Sequence, residues 1–300
     1  MTASAVVGAS SAEAALGGRG LRCGLRAWVR RRPLTAFFAF TFVYSWGVYL
    51  PGVLQGLEVV ELGLGQAAYT VLNVVGGFGP SLAAVAVTRL TGGWGGVKAL
   101  LRRGVDVRGM SLRWWLIAIL IFPALNLASI AVNYTLTRAL PETNFPGGPL
   151  DVLLYLLAFL LPVGNHWREE YGWRGYALPA MQERHGALMA SVALGLAWGV
   201  WHVPLFFFPT TQAVYGRIGV VSYLVMVVLL SCVMTWVYNG SGGRLFTAMV
   251  CHFLAGALDY FVVKTSTAYG LLIYIALEVA LLAAVVLRYG PERMAQEVAG

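Results

Sequence analysis

The chain has 300 residues, of which 59% are hydrophobic and only 11% are charged, and its formal net charge is +8. Soluble domains carry roughly 25% charged residues, so this composition and a mean hydropathy of +0.72 exclude an ordinary soluble protein. They indicate an integral membrane protein.

The N-terminal region, residues 1–33, is expected to be a disordered basic tail. It opens with "MTASAVVGASSAEAALGG", a low-complexity run of small residues, and continues with several Arg residues. Such a run cannot bury enough apolar surface to fold. No charged start precedes an apolar core, so it does not resemble a cleaved signal peptide. We expect a transmembrane domain over 34–290 and a C-terminal tail over 291–300.

Long apolar segments follow the tail, and each is about as long as the 20 residues that a helix needs to cross a hydrocarbon core about 30 Å thick. The segment at 150–165 is the shortest, and we expect it to continue helically into the charged stretch after it. The sequence therefore predicts an all-α polytopic membrane protein, a bundle of about eight transmembrane helices. The predicted spans are 34–54, 67–88, 114–133, 150–165, 188–208, 219–238, 245–263 and 269–288.

The basic residues predict the orientation, because Lys and Arg are enriched in cytoplasmic loops. With the N-terminus inside, all of the 21 Lys and Arg residues fall on the inner side except Arg138, Arg217 and Lys264. The longest segment between spans, 89–113, is expected to form an interfacial amphipathic turn. Both termini should be cytoplasmic. The same distribution explains the basic charge through membrane lipids, so we expect no nucleic-acid partner.

A charged stretch, "NHWREEYGWRGYALP" at 165–179, follows the fourth predicted span. An ionisable group at membrane depth costs about 2.5 kcal/mol or more, so it requires a partner, a cavity or a function. On a helix Glu169 and Glu170 point about 100° apart, so they cannot share one partner. The i,i+4 spacing favours a pair between Glu170 and Arg174. Glu169 is then left to face another helix.

Two histidines lie inside predicted spans. His202 occurs in "LAWGVWHVPLFFF", one turn after Trp198, and His252 occurs in "FTAMVCHFLAGALDY". A single apolar-flanked histidine is more typical of packing than of catalysis. Together with the two glutamates, the two histidines predict a polar cavity that faces the cytoplasm.

These motifs resemble the CAAX prenyl protease and bacteriocin-processing family of intramembrane endopeptidases. Its Glu-Glu-x-x-x-Arg motif is present at Glu169–Arg174, and Trp198–His202 is similar to the second motif, with the "WHVP" of many bacterial members. The third motif, His-x-x-x-Asn or Asp, is represented by His252 but has Gly256 in the amide position. The resemblance covers 160–260.

The resemblance implies a peptidase-like core at about 150–265 and a role for each residue. Glu169 would be the base that activates water, and His202 would help to hold the water and the proton. His252 would present a ring N–H to the oxyanion.

Three further residues, Glu170, Arg174 and Trp198, would support these groups without reacting. Gly256 cannot supply the amide of the family motif. The oxyanion would then be bound more weakly, unless water, a backbone group or another side chain substitutes.

Two His and one Glu with an open position also resemble a zinc site. The chain lacks HExxH, so we expect a glutamate-type peptidase without a cofactor, and zinc stays an alternative. The expected substrate is a membrane-associated or lipidated peptide or protein, and the expected location is a bacterial plasma membrane. A weakly active or inactive relative that acts as an immunity or scaffold protein is the second interpretation, favoured by Gly256. A transporter that uses the same cavity is the third.

Overall fold

The structure is a computed structural model that describes residues 24–143, 148–162, 164–211, 216, 218–263 and 269–296. Most of the expected disordered tail, together with Arg217 and Lys264, lies outside these residues. The end of that tail differs from expectation, because residues 24–31 form a helix. Val29 of this helix is fully buried against the rest of the protein.

Almost all of the described chain is helical. The helices are α1 (24–31), α2 (Pro33–Gly56), α3 (Gln66–Gly77), α4 (Gly79–Arg103), α5 (Leu112–Thr137), α6 (Pro149–Ala158), α7 (Asn165–Gly172), α8 (Leu178–Trp201), α9 (Val220–Gly240), α10 (Leu245–Phe261) and α11 (Gly270–Tyr289). A π-helical turn, Trp173–Ala177, joins α7 to α8, and a 3-10 turn, Val203–Phe207, follows α8.

The apolar helices confirm the predicted fold class. Within the described residues, six helical stretches are long and apolar enough to cross a membrane, and α10 is a shorter apolar helix. The expected count of about eight also includes 150–165, where α6 has only 10 residues. The six stretches are Pro33–Gly56, Gln66–Arg103, Leu112–Thr137, Asn165–Phe207, Val220–Gly240 and Gly270–Tyr289.

The fourth predicted span does not continue helically into the charged stretch, and that prediction was wrong. The helix α6 ends at Ala158, and α7 begins only at Asn165. Pro162 lacks the N–H that a helix interior needs. Gly164 is extended, with φ −65° and ψ 149°. The charged stretch is therefore a separate helix that begins at Asn165.

Glycines with positive φ break two of the longer helices. Gly93 (φ 69°) divides α4 and Gly186 (φ 68°) divides α8, a backbone conformation that other residues adopt at a cost. The residues after Gly93 are helical up to Arg103, where the sequence predicted only an interfacial turn. After Gly186, the N–H groups of the new helical start are bound by carbonyls of 291–292 in the C-terminal segment.

Polar contacts define one end of the bundle, which we call the basic end. Arg103 donates hydrogen bonds to the carbonyl of Gly175 at 2.6 Å and to the hydroxyl of Tyr238 at 2.5 Å. Arg244 pairs with Asp106 at 3.3 Å. These contacts bring the ends of α4, α9 and α10 to one side of the bundle, together with the π-helical turn.

The opposite end carries a short antiparallel strand pair, in which β1 (Glu142–Thr143) pairs with β2 (Val262–Val263). We call it the strand-pair end. The helix α7 lies between these ends and packs against α4 and α10, while α8 packs mainly against α9. The charged stretch thus sits in the centre of the bundle.

Candidate active site

The glutamate pair lies on the short helix α7 and is withdrawn from solvent. Glu169 is 3% exposed and Glu170 is fully buried. The π-helical turn begins just after this helix, at Trp173. Such turns are rare and occur often at functional sites. The inserted residue of a π turn rotates the following side chains, and here Arg174 is fully buried too.

Glu170 holds two partners with one oxygen. Arg174 Nη1 lies 3.0 Å from Oε1, which is the pair that the i,i+4 spacing predicts, and both side chains are completely buried. His252 Nδ1 lies 2.8 Å from the same oxygen. We assign the proton to Nδ1 because its neighbour is a carboxylate. Glu170 therefore joins α7 to α10 as well as to Arg174.

Glu169 faces a different helix, as the angle between neighbouring helical residues predicts. The indole N–H of Trp198 donates a hydrogen bond of 2.8 Å to Glu169 Oε2. The face of the same indole lies 4.5 Å from the guanidinium carbon of Arg174, a cation–π contact. The His252 ring meets the indole edge-on, with centroids 5.1 Å apart.

His202 lies at the C-terminus of α8, where Pro204 prevents the helix from continuing and a 3-10 turn begins. Its Nδ1 lies 2.9 Å from the carbonyl oxygen of Trp198, and its ring centroid lies 6.0 Å from that of the indole. With the Nδ1 proton bound to the carbonyl, Nε2 of a neutral ring carries the lone pair.

The sequence-predicted residues therefore converge on Trp198. Glu169, Arg174, His202 and His252 each contact it, and Glu170 is held through two of them. Two buried carboxylates with different partners and two histidines whose Nδ1 atoms are fixed are suited to proton transfer.

A cavity of about 250 Å³ opens beside His252. Both His252 and Gly256 line it, and Glu169 and His202 are not among its lining residues. Asn165 lines the cavity, and Gly175 lies at the basic end. About 15 Å of helical rise separates these two residues, so the cavity lies midway along the helix bundle. That it faces the cytoplasm stays a prediction. Its lining is Tyr155, Ala158, Gly164, Asn165, His166, His252, Phe253 and Gly256.

Several of these residues were not identified from the sequence. His166 is 1% exposed and stacks on Phe159 with ring centroids 4.5 Å apart. Its spacing of i,i+3 from Glu169 was a signal that could have singled it out. Asn165 also lies one turn before Glu169.

Arg168 is buried rather than part of a basic loop on the inner side. Its Nη1 donates to the carbonyls of Asn73 at 2.9 Å and Val74 at 3.1 Å, near the C-terminus of α3. Its Nη2 contacts Asn165 Oδ1. A buried arginine on helical carbonyls anchors α7 and so helps to fix the neighbouring Glu169.

No group of three or more His, Cys, Asp or Glu side chains among the described residues is arranged to hold a metal ion. Glu169 and His252 each contact the indole of Trp198.

The fold and the cluster define a class: a polytopic helical membrane protein whose buried Glu-Glu-x-x-x-Arg helix faces two histidines inside the bundle. These features resemble those of CAAX protease-like intramembrane endopeptidases. Residues 151–258 match the family model of the Rce1-like type II CAAX prenyl endopeptidases. The chain is also similar to CAAX prenyl protease 2 of Methanococcus maripaludis, with 23% identity over 229 residues that cover 73% of this chain and 80% of that protein. The chain is thus similar to the CAAX prenyl proteases, and the matched segment lies inside the core predicted from the motifs.

Proposed function

We propose that the protein is an intramembrane endopeptidase that hydrolyses a peptide bond in a membrane-associated or lipidated peptide. The observation that carries this proposal is the convergence of Glu169, His202 and His252 on Trp198 in the interior of a membrane helix bundle. The similarity to a protein named CAAX prenyl protease 2 supports a peptide that bears a lipid near its cleavage site.

Glu169 is the base in this proposal. Its carboxylate takes a proton from water, the resulting hydroxide attacks the scissile carbonyl carbon, and the carbonyl oxygen becomes an oxyanion. The indole N–H of Trp198 fixes the carboxylate by its bond to Oε2. Glu169 then gives the proton to the leaving amine as the C–N bond breaks. His202, fixed through Nδ1, offers Nε2 to hold the water.

His252 binds the oxyanion. Its Nδ1–H is directed to Glu170, which orients the ring. In the imidazolium form Nε2 also carries a proton, and the N–H can then donate to the oxygen as negative charge develops there. Arg174 and Glu170 keep the ring in place through the buried pair.

The first prediction concerns Glu169→Gln in protein reconstituted into nanodiscs. Gln keeps a carbonyl oxygen for the Trp198 N–H but cannot take a proton, so cleavage should fall about 100-fold or more while the unfolding temperature is unchanged. The probe is a fluorogenic peptide with a prenylated cysteine, compared with its unlipidated form. Glu183→Gln, on the exposed surface of α8, is the matched control. Undiminished cleavage by Glu169→Gln would remove this glutamate from the mechanism.

The same preparation distinguishes glutamate-type from zinc chemistry. Glutamate-type hydrolysis predicts full activity after treatment with chelator and no stoichiometric metal by elemental analysis. A loss of activity that added Zn²⁺ restores would instead assign the two histidines and the glutamate to a metal.

A non-catalytic immunity or scaffold protein is the second candidate, and Gly256 favours it. This residue lies one turn after His252 on the cavity wall and provides no side-chain donor there. If the wild type binds lipidated peptides without cleaving them, and Glu169→Gln binds equally well, the scaffold function replaces the proposed one.

A further inference from the structure

The cavity wall around Gly256 contains a hydroxyl group. If a Cβ atom were placed on Gly256, the nearest atom of another element would be Tyr155 Oη, at 3.6 Å. Tyr155 belongs to α6, whereas Gly256 and His252 belong to α10, and all three line the same cavity. The space beside Gly256 is therefore next to a tyrosine hydroxyl that reaches across from a different helix.

Aromatic contacts hold the Tyr155 ring in this position. Its centroid lies 5.1 Å from that of Phe253 and 5.3 Å from that of Phe261, which is edge-on to it. Phe253 directly follows His252 in the chain. Ring pairs of this kind stabilise by about 0.5–1.5 kcal/mol beyond the burial of their area. The helix that carries His252 thus also positions the hydroxyl.

The hydroxyl and His252 lie near the same part of the cavity. Because His252 and Gly256 are four residues apart, they share one face of α10. A group next to the Gly256 position is therefore one helical turn from the imidazole. A tyrosine hydroxyl donates one hydrogen bond, and tyrosines are among the side chains that bind oxyanions in enzymes.

We infer that Tyr155 is a further catalytic residue, whose hydroxyl donates to the carbonyl oxygen of the scissile bond together with His252. This inference rests on the proposed peptidase function. It assigns to Tyr155 the donor that Gly256 cannot provide.

Size explains why a glycine accompanies the tyrosine. The Cβ position itself is in ordinary contact with Tyr155 Oη, and an asparagine would extend three heavy atoms beyond it. Asn at 256 and Tyr at 155 would then compete for one volume. The two residues are alternative ways to place a donor in the same part of the cavity.

The test compares Tyr155→Phe with the wild type in the nanodisc cleavage assay. Phe keeps the ring contacts and removes only the hydroxyl, so kcat should fall about 100-fold, the typical loss for one oxyanion donor, with KM and the unfolding temperature unchanged. Tyr69→Phe, a buried tyrosine packed against Phe208 away from the cavity, is the control and should retain wild-type kcat.

A second variant separates a catalytic hydroxyl from a structural one. Gly256→Asn in the Tyr155→Phe background has both the space and the amide, so kcat should rise about 10-fold or more over Tyr155→Phe alone. An unchanged kcat in Tyr155→Phe, a change confined to KM, or no recovery in the double variant would each overturn the inference. If any of these outcomes is found while the wild type cleaves and Glu169→Gln does not, only the role of Tyr155 is refuted and the proposed peptidase function stands. If the wild type does not cleave, both fall together.

Discussion

Trp198 is the residue through which the buried charges of the site are arranged. Its N–H binds Glu169, its ring face lies against Arg174, and its ring makes a T-shaped contact with that of His252. A single indole can make all three contacts because it combines a donor with a large π surface. Exchange of this residue should therefore affect catalysis without removing any ionisable group.

The variant Trp198→Phe keeps an aromatic ring for Arg174 and His252 but removes the N–H. Loss of a hydrogen bond to a buried charged group costs about 1.5–3 kcal/mol. We expect cleavage to fall about 10- to 100-fold, since about 1.36 kcal/mol corresponds to a factor of ten. The measurement is kcat/KM with the lipidated peptide, together with the unfolding temperature.

Trp201→Phe is the matched control, because the Trp201 indole nitrogen is buried and has no hydrogen-bond partner in the part of the chain that the structure describes. Its ring contacts with Trp173 and with His202 can be kept by Phe. Equal losses in the two variants would show that ring volume, and not the bond to Glu169, is what matters.

Local contacts of the site could be predicted from the sequence, whereas contacts between helices could not. The pair of Glu170 and Arg174 follows from the i,i+4 spacing on one helix. The bond from Trp198 to Glu169 and the contact from His252 to Glu170 depend on how α8 and α10 pack on α7. Tyr155 was missed for the same reason. Its hydroxyl can be proposed as a donor only once α6 and α10 are known to place it beside Gly256.

The helix α7 approaches its neighbours so closely that glycine is required at the contact. A Cβ on Gly172 would lie 2.5 Å from the backbone carbonyl of Pro80 in α4, and one on Gly77 would lie 1.9 Å from Arg168 Nη1. Backbone atoms cannot move aside as a flexible side chain can. The position of the glutamate pair thus depends on the absence of a side chain at Gly172.

The variant Gly172→Ala should push α7 away from α4. Overpacking of this kind costs about 1–3 kcal/mol, so we expect a lower unfolding temperature and a loss of cleavage in parallel. Gly47→Ala in α2 is the control, because no atom lies within 4 Å of its Cβ position. Alanine is the better helix former by about 1 kcal/mol, so this control should be as stable as the wild type or more stable. A fully active, stable Gly172→Ala would contradict the close packing.

At the level of elements, hydropathy predicted the apolar helices well, because each must satisfy its own backbone within the membrane. It could not predict the breaks. Gly93 and Gly186 are two of many glycines in the sequence, and what distinguishes them is a positive φ inside a helix. The end of α6 was more accessible to prediction, since Pro162 and Gly164 are both helix-breaking residues.

The whole molecule has two chemically different ends. The basic end gathers Arg103 and Arg244 at the ends of α4, α9 and α10, and the strand-pair end lies at the far side of the same helices. Cytoplasmic loops carry the excess of Lys and Arg. Anionic lipids of the inner leaflet add about 1 kcal/mol per nearby basic residue. Both arguments predict that the basic end is the cytoplasmic one.

Single cysteines at the two ends test this orientation in intact cells. Val105, beside Asp106 at the basic end, is 62% exposed, and Leu140, just before β1, is 67% exposed. Cys23 is first replaced by Ser, while Cys232 and Cys251 are buried and can stay. A membrane-impermeant maleimide should label Leu140→Cys directly and Val105→Cys only after permeabilisation. The reverse pattern would refute the orientation, and labelling of both from outside would show that the two ends do not lie on opposite sides of the membrane.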